Sequence, residues 1–149
     1  MLLFCPSCSL VAVDAVFQEL LQFWTSLSAA EVDSSDILHL ASGTHWLGDA
    51  GMQDNLYVRD CYREPFQLIR NATAPARGYD KVRKVLVTGT PGIGKSQFAL
   101  YFLWQLSKEG NPKVLFQLGD TYYFFTGGNV QRTTSAVLPA QWYYDKVRC

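Results

Sequence analysis

The chain has 149 residues, 48% of them hydrophobic and 17% charged, and carries no net charge. That length holds one modest core or a partial domain with an appendage, and the composition excludes general disorder. The charge is divided unevenly, because residues 1–58 hold seven acids and no Lys or Arg, whereas the rest holds all thirteen basic residues against six acids, a balance of +7. A basic half suits phosphate-bearing ligands. Its charges are too dispersed to support a nucleic-acid surface, and the cluster Arg77, Lys81, Arg83 and Lys84 reads as a solvated strand entrance.

Met1–Leu10 is apolar but has no positive leading region, and Pro6 and Asp14 interrupt any hydrophobic run. Val13-Asp14-Ala15 has the small residues of a cleavage site, so secretion behind a weak signal peptide is the lesser alternative to the expected location in the cytoplasm or nucleus. No apolar stretch has the length of a bilayer span, and no membrane partner is expected. Cys5-Pro-Ser-Cys8 has the spacing of half a zinc site or of a redox pair, but no second pair follows and His39 and His45 are wrongly placed to complete it. Together with Cys61 and Cys149, these cysteines read as free thiols of a reducing compartment. The sequon Asn71-Ala72-Thr73 has meaning only on a secreted chain.

Asp14 is placed to cap a helix running to about Leu27, with Phe17, Leu20, Leu21, Trp24 and Leu27 forming one apolar face. Glu31–Leu40 reads as a second short helix, and Ala41–Asn55 as a loop rich in Gly, Ser and Asp. Asn55 is then positioned to cap a helix from Leu56, kinked or ended by Pro65. Asn71–Gly78 is a connector. Beyond it, Val82–Thr88 contains the β-branched run Val85-Leu86-Val87, the signature of a buried parallel strand. Ser96–Lys108 reads as a helix apolar nearly all round, hence buried on several sides, and Gly110 ends it. Lys113–Leu118 is a strand, Gly119-Asp120 a two-residue turn, and Thr121–Phe125 the returning antiparallel strand. Gly127-Gly128-Asn129 makes another turn, followed by a polar stretch and the aromatic run Trp142-Tyr143-Tyr144.

The most specific feature lies between the expected parallel strand and its helix. Gly89-Thr90-Pro91-Gly92-Ile93-Gly94-Lys95-Ser96 matches G-x-x-x-x-G-K-[ST] without deviation, in the strand–loop–helix context that phosphate binding requires. Gly89, Gly92 and Gly94 let the backbone turn tightly and approach phosphate, so that amides from about Gly92 to Ser96 point inward at the positive end of a helix. Lys95 is suited to reach the β- and γ-phosphates, and the Ser96 hydroxyl to ligate Mg²⁺. The expected nucleotide-contacting set is Gly89, Thr90, Pro91, Gly92, Ile93, Gly94, Lys95, Ser96 and Gln97. Hydrolysis further requires an acid at the end of another strand to hold the metal. Asp145, after Trp142-Tyr143-Tyr144, is the candidate second metal ligand, and ending a surface turn is its competing reading. Asp120 is less suited, since it lies in a hairpin turn, and Arg132 and Arg148 are available without an assigned role.

These observations predict an α/β protein: a partial P-loop NTPase with a parallel sheet, flanking helices and a β-hairpin, preceded by a helical N-terminal segment. The expected divisions are residues 1–54, that segment; residues 55–78, a helix and connector before the loop; and residues 79–149, a truncated NTPase core. The leading function is binding of a nucleoside triphosphate, ATP by preference, with Mg²⁺-dependent hydrolysis in which Lys95 and Asp145 act. The alternatives are an inactive nucleotide-binding interaction module and, less favoured, a small-molecule kinase, for which neither an arginine-bearing lid nor an acceptor pocket is visible. Few strands follow the loop, so the sheet is expected to expose an edge that a protein partner or a further C-terminal domain covers.

The run from Val85 to Ser96, continuing Phe98-Ala99-Leu100-Tyr101-Phe102-Leu103-Trp104, resembles the P-loop region of Crinkler-type proteins. These occur in oomycetes and fungi and are related to the trypanosome retrotransposon-hot-spot proteins. Leu56-Tyr57-Val58-Arg59-Asp60-Cys61-Tyr62 resembles the helix that often precedes that loop. Val114-Leu115-Phe116-Gln117 and Tyr122-Tyr123-Phe124-Phe125 fit the same family, and Trp142-Tyr143-Tyr144-Asp145 is similar to its strand ending in a metal-binding Asp. The likeness covers about Asn55 to Asp145. It implies an ATPase-like module of a multidomain effector or intragenomic-conflict protein, commonly directed to a nucleus and carrying a ubiquitin-like head and a nuclease- or kinase-like tail. Residues 1–54 lack the family's Leu-Phe-Leu-Ala-Lys-type motif.

Overall fold

The computed structural model describes residues 10–73, 86–110 and 112–134. Helix α1 (Leu10–Leu27) opens the described chain. Leu20, Phe23, Trp24 and Leu27 are its buried face, at the i, i+3, i+4, i+7 spacing of a helix packed on one side. The sequence expectation differs here in two ways. The helix begins four residues before Asp14, which therefore lies inside it rather than capping it, and Phe17 is exposed while Phe23 takes its place in the core.

The expected helix over Glu31–Leu40 is instead a tight turn leading into a strand. The Asp33 carboxylate accepts the backbone N–H groups of Ser35 (2.8 Å) and Ile37 (3.0 Å) and meets His39 Nε2 at 3.0 Å. Those bonds, the one from Ile37 foremost, hold the Asp33 carboxyl below its usual range. Asp36 adopts φ +58, so the chain reverses and Val32 bridges Leu38. A side chain that satisfies local amides in this way outcompetes the helix.

Strand β1 (Ile37–His39) then pairs antiparallel with β2 (Asn55–Tyr57), Leu38 opposite Leu56. The helix expected from Leu56 is thus displaced: a 3₁₀ turn, Asp60–Tyr62, precedes α2 (Arg63–Thr73). Pro65 falls in the first turn of α2, where a missing N–H leaves no bond unmade, so it neither kinks nor ends the helix. Asn71–Thr73 belong to α2 rather than to the connector, whose remaining residues lie outside the described ones.

Between β1 and β2, the 3₁₀ turn Trp46–Gly48 is buried beneath α1. Phe23 meets the Trp46 ring at 5.6 Å between centroids. Gly48 has φ +66, and a Cβ there would sit 2.7 Å from the backbone nitrogen of Leu20. Gly48→Ala is expected to cost about 2 kcal/mol or more, combining left-handed strain with a clash against backbone. Urea unfolding checks this, and a loss below about 0.5 kcal/mol would contradict the close approach.

Helix α3 (Lys95–Ser107) is buried at Phe98, Leu100, Tyr101, Leu103, Trp104 and Ser107, as an all-round apolar helix should be. Trp104 Nε1 donates to the Ala30 carbonyl at 3.0 Å, 74 residues away, and ties α3 to the turn that follows α1. Strands β3 (Lys113–Leu118), β4 (Thr121–Thr126) and β5 (Asn129–Thr134) form an antiparallel meander in that order. The Gly119-Asp120 turn and the returning strand match expectation. The polar stretch after Gly127-Gly128 is itself a strand, pairing Phe125 with Val130 and Thr126 with Asn129. Val130 is its one buried residue, set between exposed neighbours, a short signal easily hidden among polar residues.

All strand pairings among the described residues are antiparallel. Of the run expected to form a parallel strand, Leu86–Thr88 are described and carry no strand pairing, with Leu86 86% exposed. Val82–Val85 lie outside the described residues. A single hydrophobic cluster joins α1, the β1–β2 region, α2, α3 and the meander. It runs across positions 54 and 78, so that residues before Asn55 supply part of the packing around α3.

Candidate functional site

The glycine-rich loop lies directly before α3. Leu86–Thr90 are irregular, Pro91–Gly94 make the turn, and Lys95 is the first helical residue. Gly92 and Gly94 have φ +82 and +94, values that side-chain-bearing residues rarely adopt. The Gly94 carbonyl accepts the Phe98 N–H at 2.8 Å, the first bond of the helix. The loop therefore ends where the amides of a first helical turn lack intrahelical partners.

Lys95 folds back over the loop. Its Nζ donates to the Gly89 carbonyl at 2.8 Å and to the Thr90 carbonyl at 2.9 Å, closing the loop into a ring around one ammonium. Ser96 and Gln97 stand in the first turn of α3 and are exposed. The nine residues from Gly89 to Gln97 are thus gathered at one helix end. Asp145, the expected metal-holding partner, lies outside the described residues, as do Cys5, Cys8, Arg148 and Cys149. Asp120 sits in the hairpin turn, and Arg132 lies over the Tyr123 ring at 5.7 Å. Cys61 is free and exposed. Among the described residues, no group of three or more His, Cys, Asp or Glu is arranged to hold a metal ion, and no helix is long and apolar enough to cross a membrane.

Two contacts to the loop were not identified from sequence. Arg59 Nη1 donates to the Ile93 carbonyl at 3.1 Å, and the Tyr62 hydroxyl donates to the Gly94 carbonyl at 3.3 Å. Both residues come from the segment between β2 and α2, more than thirty positions upstream. Burial pushes the Tyr62 hydroxyl above its usual pKa, against an opposing pull from the Arg59 guanidinium, so it remains a donor through the neutral range. One signal for Arg59 was visible: it is the first basic residue of the chain, after 58 positions without one.

Tyr62 also joins an aromatic group with Phe98 and Tyr101, each at 5.5 Å between centroids, which seats the upstream segment against the first turns of α3. On the other flank, a groove of about 540 Å³ follows α3 past Val87, Phe98, Phe102 and Leu106 towards β3. Chemically, the loop combines backbone donors at a helix start, one ammonium and one guanidinium, an arrangement suited to an anion.

Comparison with known proteins places half of this chain beside a class of effector proteins. Over 72 residues, 48% of its length, it is 39% identical to Crinkler effector protein 15 and equally to Crinkler effector protein 16, both of Phytophthora infestans. The matched stretch is 11% of each relative, so the chain spans about a tenth of their length. The Crinkler resemblance read from the residues is supported by these matches. No family model matches the chain, and no solved structure matches it.

Proposed function

We propose that Gly89–Gln97 cradle the phosphates of a nucleoside triphosphate, ATP with Mg²⁺ by preference, within a P-loop NTPase module of a Crinkler-type effector. The observation that carries this reading is the unbroken G-x-x-x-x-G-K-S motif (Gly89–Ser96) set at the start of α3, with Lys95 folded over its own loop. Gly92–Ser96 supply amides, Lys95 a charge for the β- and γ-phosphates, and Ser96 a hydroxyl for the metal. Mg²⁺, when bound, neutralises phosphate charge and is held mostly by phosphate oxygens and water, so a single protein hydroxyl fits it. The 39% identity to Crinkler effectors supports the family context. The apolar groove along α3 supports a further sheet segment or protein partner covering that side.

Titration calorimetry with ATP, with and without Mg²⁺, tests the reading. Binding that strengthens with Mg²⁺ and is lost with adenosine is expected. Absence of binding, or equal affinity for ATP and adenosine, would refute it. A second reading is binding without turnover, for which the loop at the start of α3 is sufficient by itself. Phosphate release beside Asp145→Ala separates the two: nucleotide binding without any release leaves the interaction module, and hydrolysis that survives the change removes Asp145 from the metal site.

A further inference from the structure

The segment upstream of α2 touches the loop at two successive carbonyls, and this pairing bears on how the loop presents its amides. In a trans peptide unit, the C=O of one residue and the N–H of the next point in opposite directions. Arg59 holds the Ile93 carbonyl and Tyr62 holds the Gly94 carbonyl. The N–H groups of Gly94 and Lys95 are thereby turned away from that side. Those two amides are the last of the loop and the first of α3, where an anion would be met.

Gly94 is fitted to the same contact. Its φ is +94, and a Cβ there would lie 2.7 Å from the Tyr62 hydroxyl oxygen and 3.4 Å from Arg59 Cζ. Backbone conformation, close approach and both donors therefore depend on one another. Arg59 is partly buried, and its planar guanidinium keeps a donor fixed where a flexible ammonium would not.

We propose that Arg59 is a positioning residue of the phosphate site, restraining the Ile93–Gly94 peptide so that the adjacent amides are directed at the ligand before it binds. The inference rests on the phosphate-cradle reading above. Its action is through the loop: ordering the peptide in advance removes an entropy cost from binding. Because Arg59 belongs to the chain before α2, nucleotide affinity is thereby linked to the seating of the β1–β2 region against α3.

The test uses the full chain and four proteins: wild type, Arg59→Ala, Arg59→Gln and Arg59→Lys. Calorimetry with Mg·ATP and with adenosine is paired with thermal melts and amide exchange at Gly94 and Lys95. Arg59→Ala is expected to weaken Mg·ATP binding about ten-fold, the effect of losing one charge-assisted bond, and to speed exchange of those two amides. Arg59→Gln, whose amide ends two bonds short of the Ile93 carbonyl, is expected to match Arg59→Ala, whereas Arg59→Lys, which keeps most of the reach, is expected to recover part of the affinity together with slow exchange. Weaker binding in Arg59→Ala with unchanged exchange at Gly94 and Lys95 would mean that the charge acts on phosphate directly, and would overturn the positioning role. Unchanged affinity in Arg59→Ala would overturn it while leaving the cradle intact, whereas a wild type that binds no nucleotide would remove both. If the alanine variant fails to fold, the Gln and Lys variants carry the same comparison.

Discussion

Replacing Lys95 by alanine is expected to lower Mg·ATP affinity by roughly 100-fold while leaving the fold intact. The ammonium now satisfies two carbonyls, those of Gly89 and Thr90, at 2.8 and 2.9 Å. In the proposed complex it exchanges these for phosphate oxygens, and charge-assisted bonds of that kind are each worth about 1.5–3 kcal/mol. A net loss near 3 kcal/mol corresponds to about two decades in affinity. Stability is expected to change little, because the loop carbonyls are exposed and water replaces the ammonium. Lys95→Arg is not expected to restore binding, since a planar fork does not fit a site built for a point charge. Calorimetry beside a thermal melt gives both readings. Affinity within three-fold of wild type would take Lys95 out of the phosphate site.

Phe125→Ala is expected to produce the largest loss of stability, about 3–5 kcal/mol. Phe125 is fully buried in β4. Its ring stacks on Trp24 at 4.4 Å between centroids and lies 6.3 Å from Phe23, both on α1. Trp24 also donates through Nε1 to the Gly127 carbonyl at 2.8 Å, so the hairpin end and the N-terminal helix share one contact. For a chain of this size, the melting temperature should fall by about 10 °C or more. Helix circular dichroism and near-ultraviolet tryptophan signals should move together, because the removed ring sits where helix and sheet meet. A loss below about 1 kcal/mol, or a helix that melts apart from the meander, would show that α1 is not part of the same cooperative core.

Legibility in the sequence followed the range of the interactions involved. Helix α3 and the β3–β4 hairpin were read closely, because an all-round apolar run and a two-residue Gly-Asp turn are local signals. Glu31–Leu40 was misread because Asp33, three residues into the segment, spends its carboxylate on the amides of Ser35 and Ile37 and so forms a turn. A helix from Leu56 was equally plausible by pattern, but Leu56 pairs with Leu38 across 18 residues and becomes a strand. Likewise β5 gained its identity from β4, since a single buried Val130 among polar residues carries little pattern of its own.

The residues of the proposed phosphate loop were legible in the sequence alone, because glycine, lysine and serine at fixed spacing act through backbone freedom and reach within eight consecutive positions. Only the tertiary structure decided what braces that loop and where residues 15–50 pack. Arg59 reaches Ile93 across 34 residues, Trp104 reaches Ala30 across 74, and Trp24 reaches Gly127 across 103. Such contacts depend on where the whole core brings the chain together, and neighbouring residues hold no record of it.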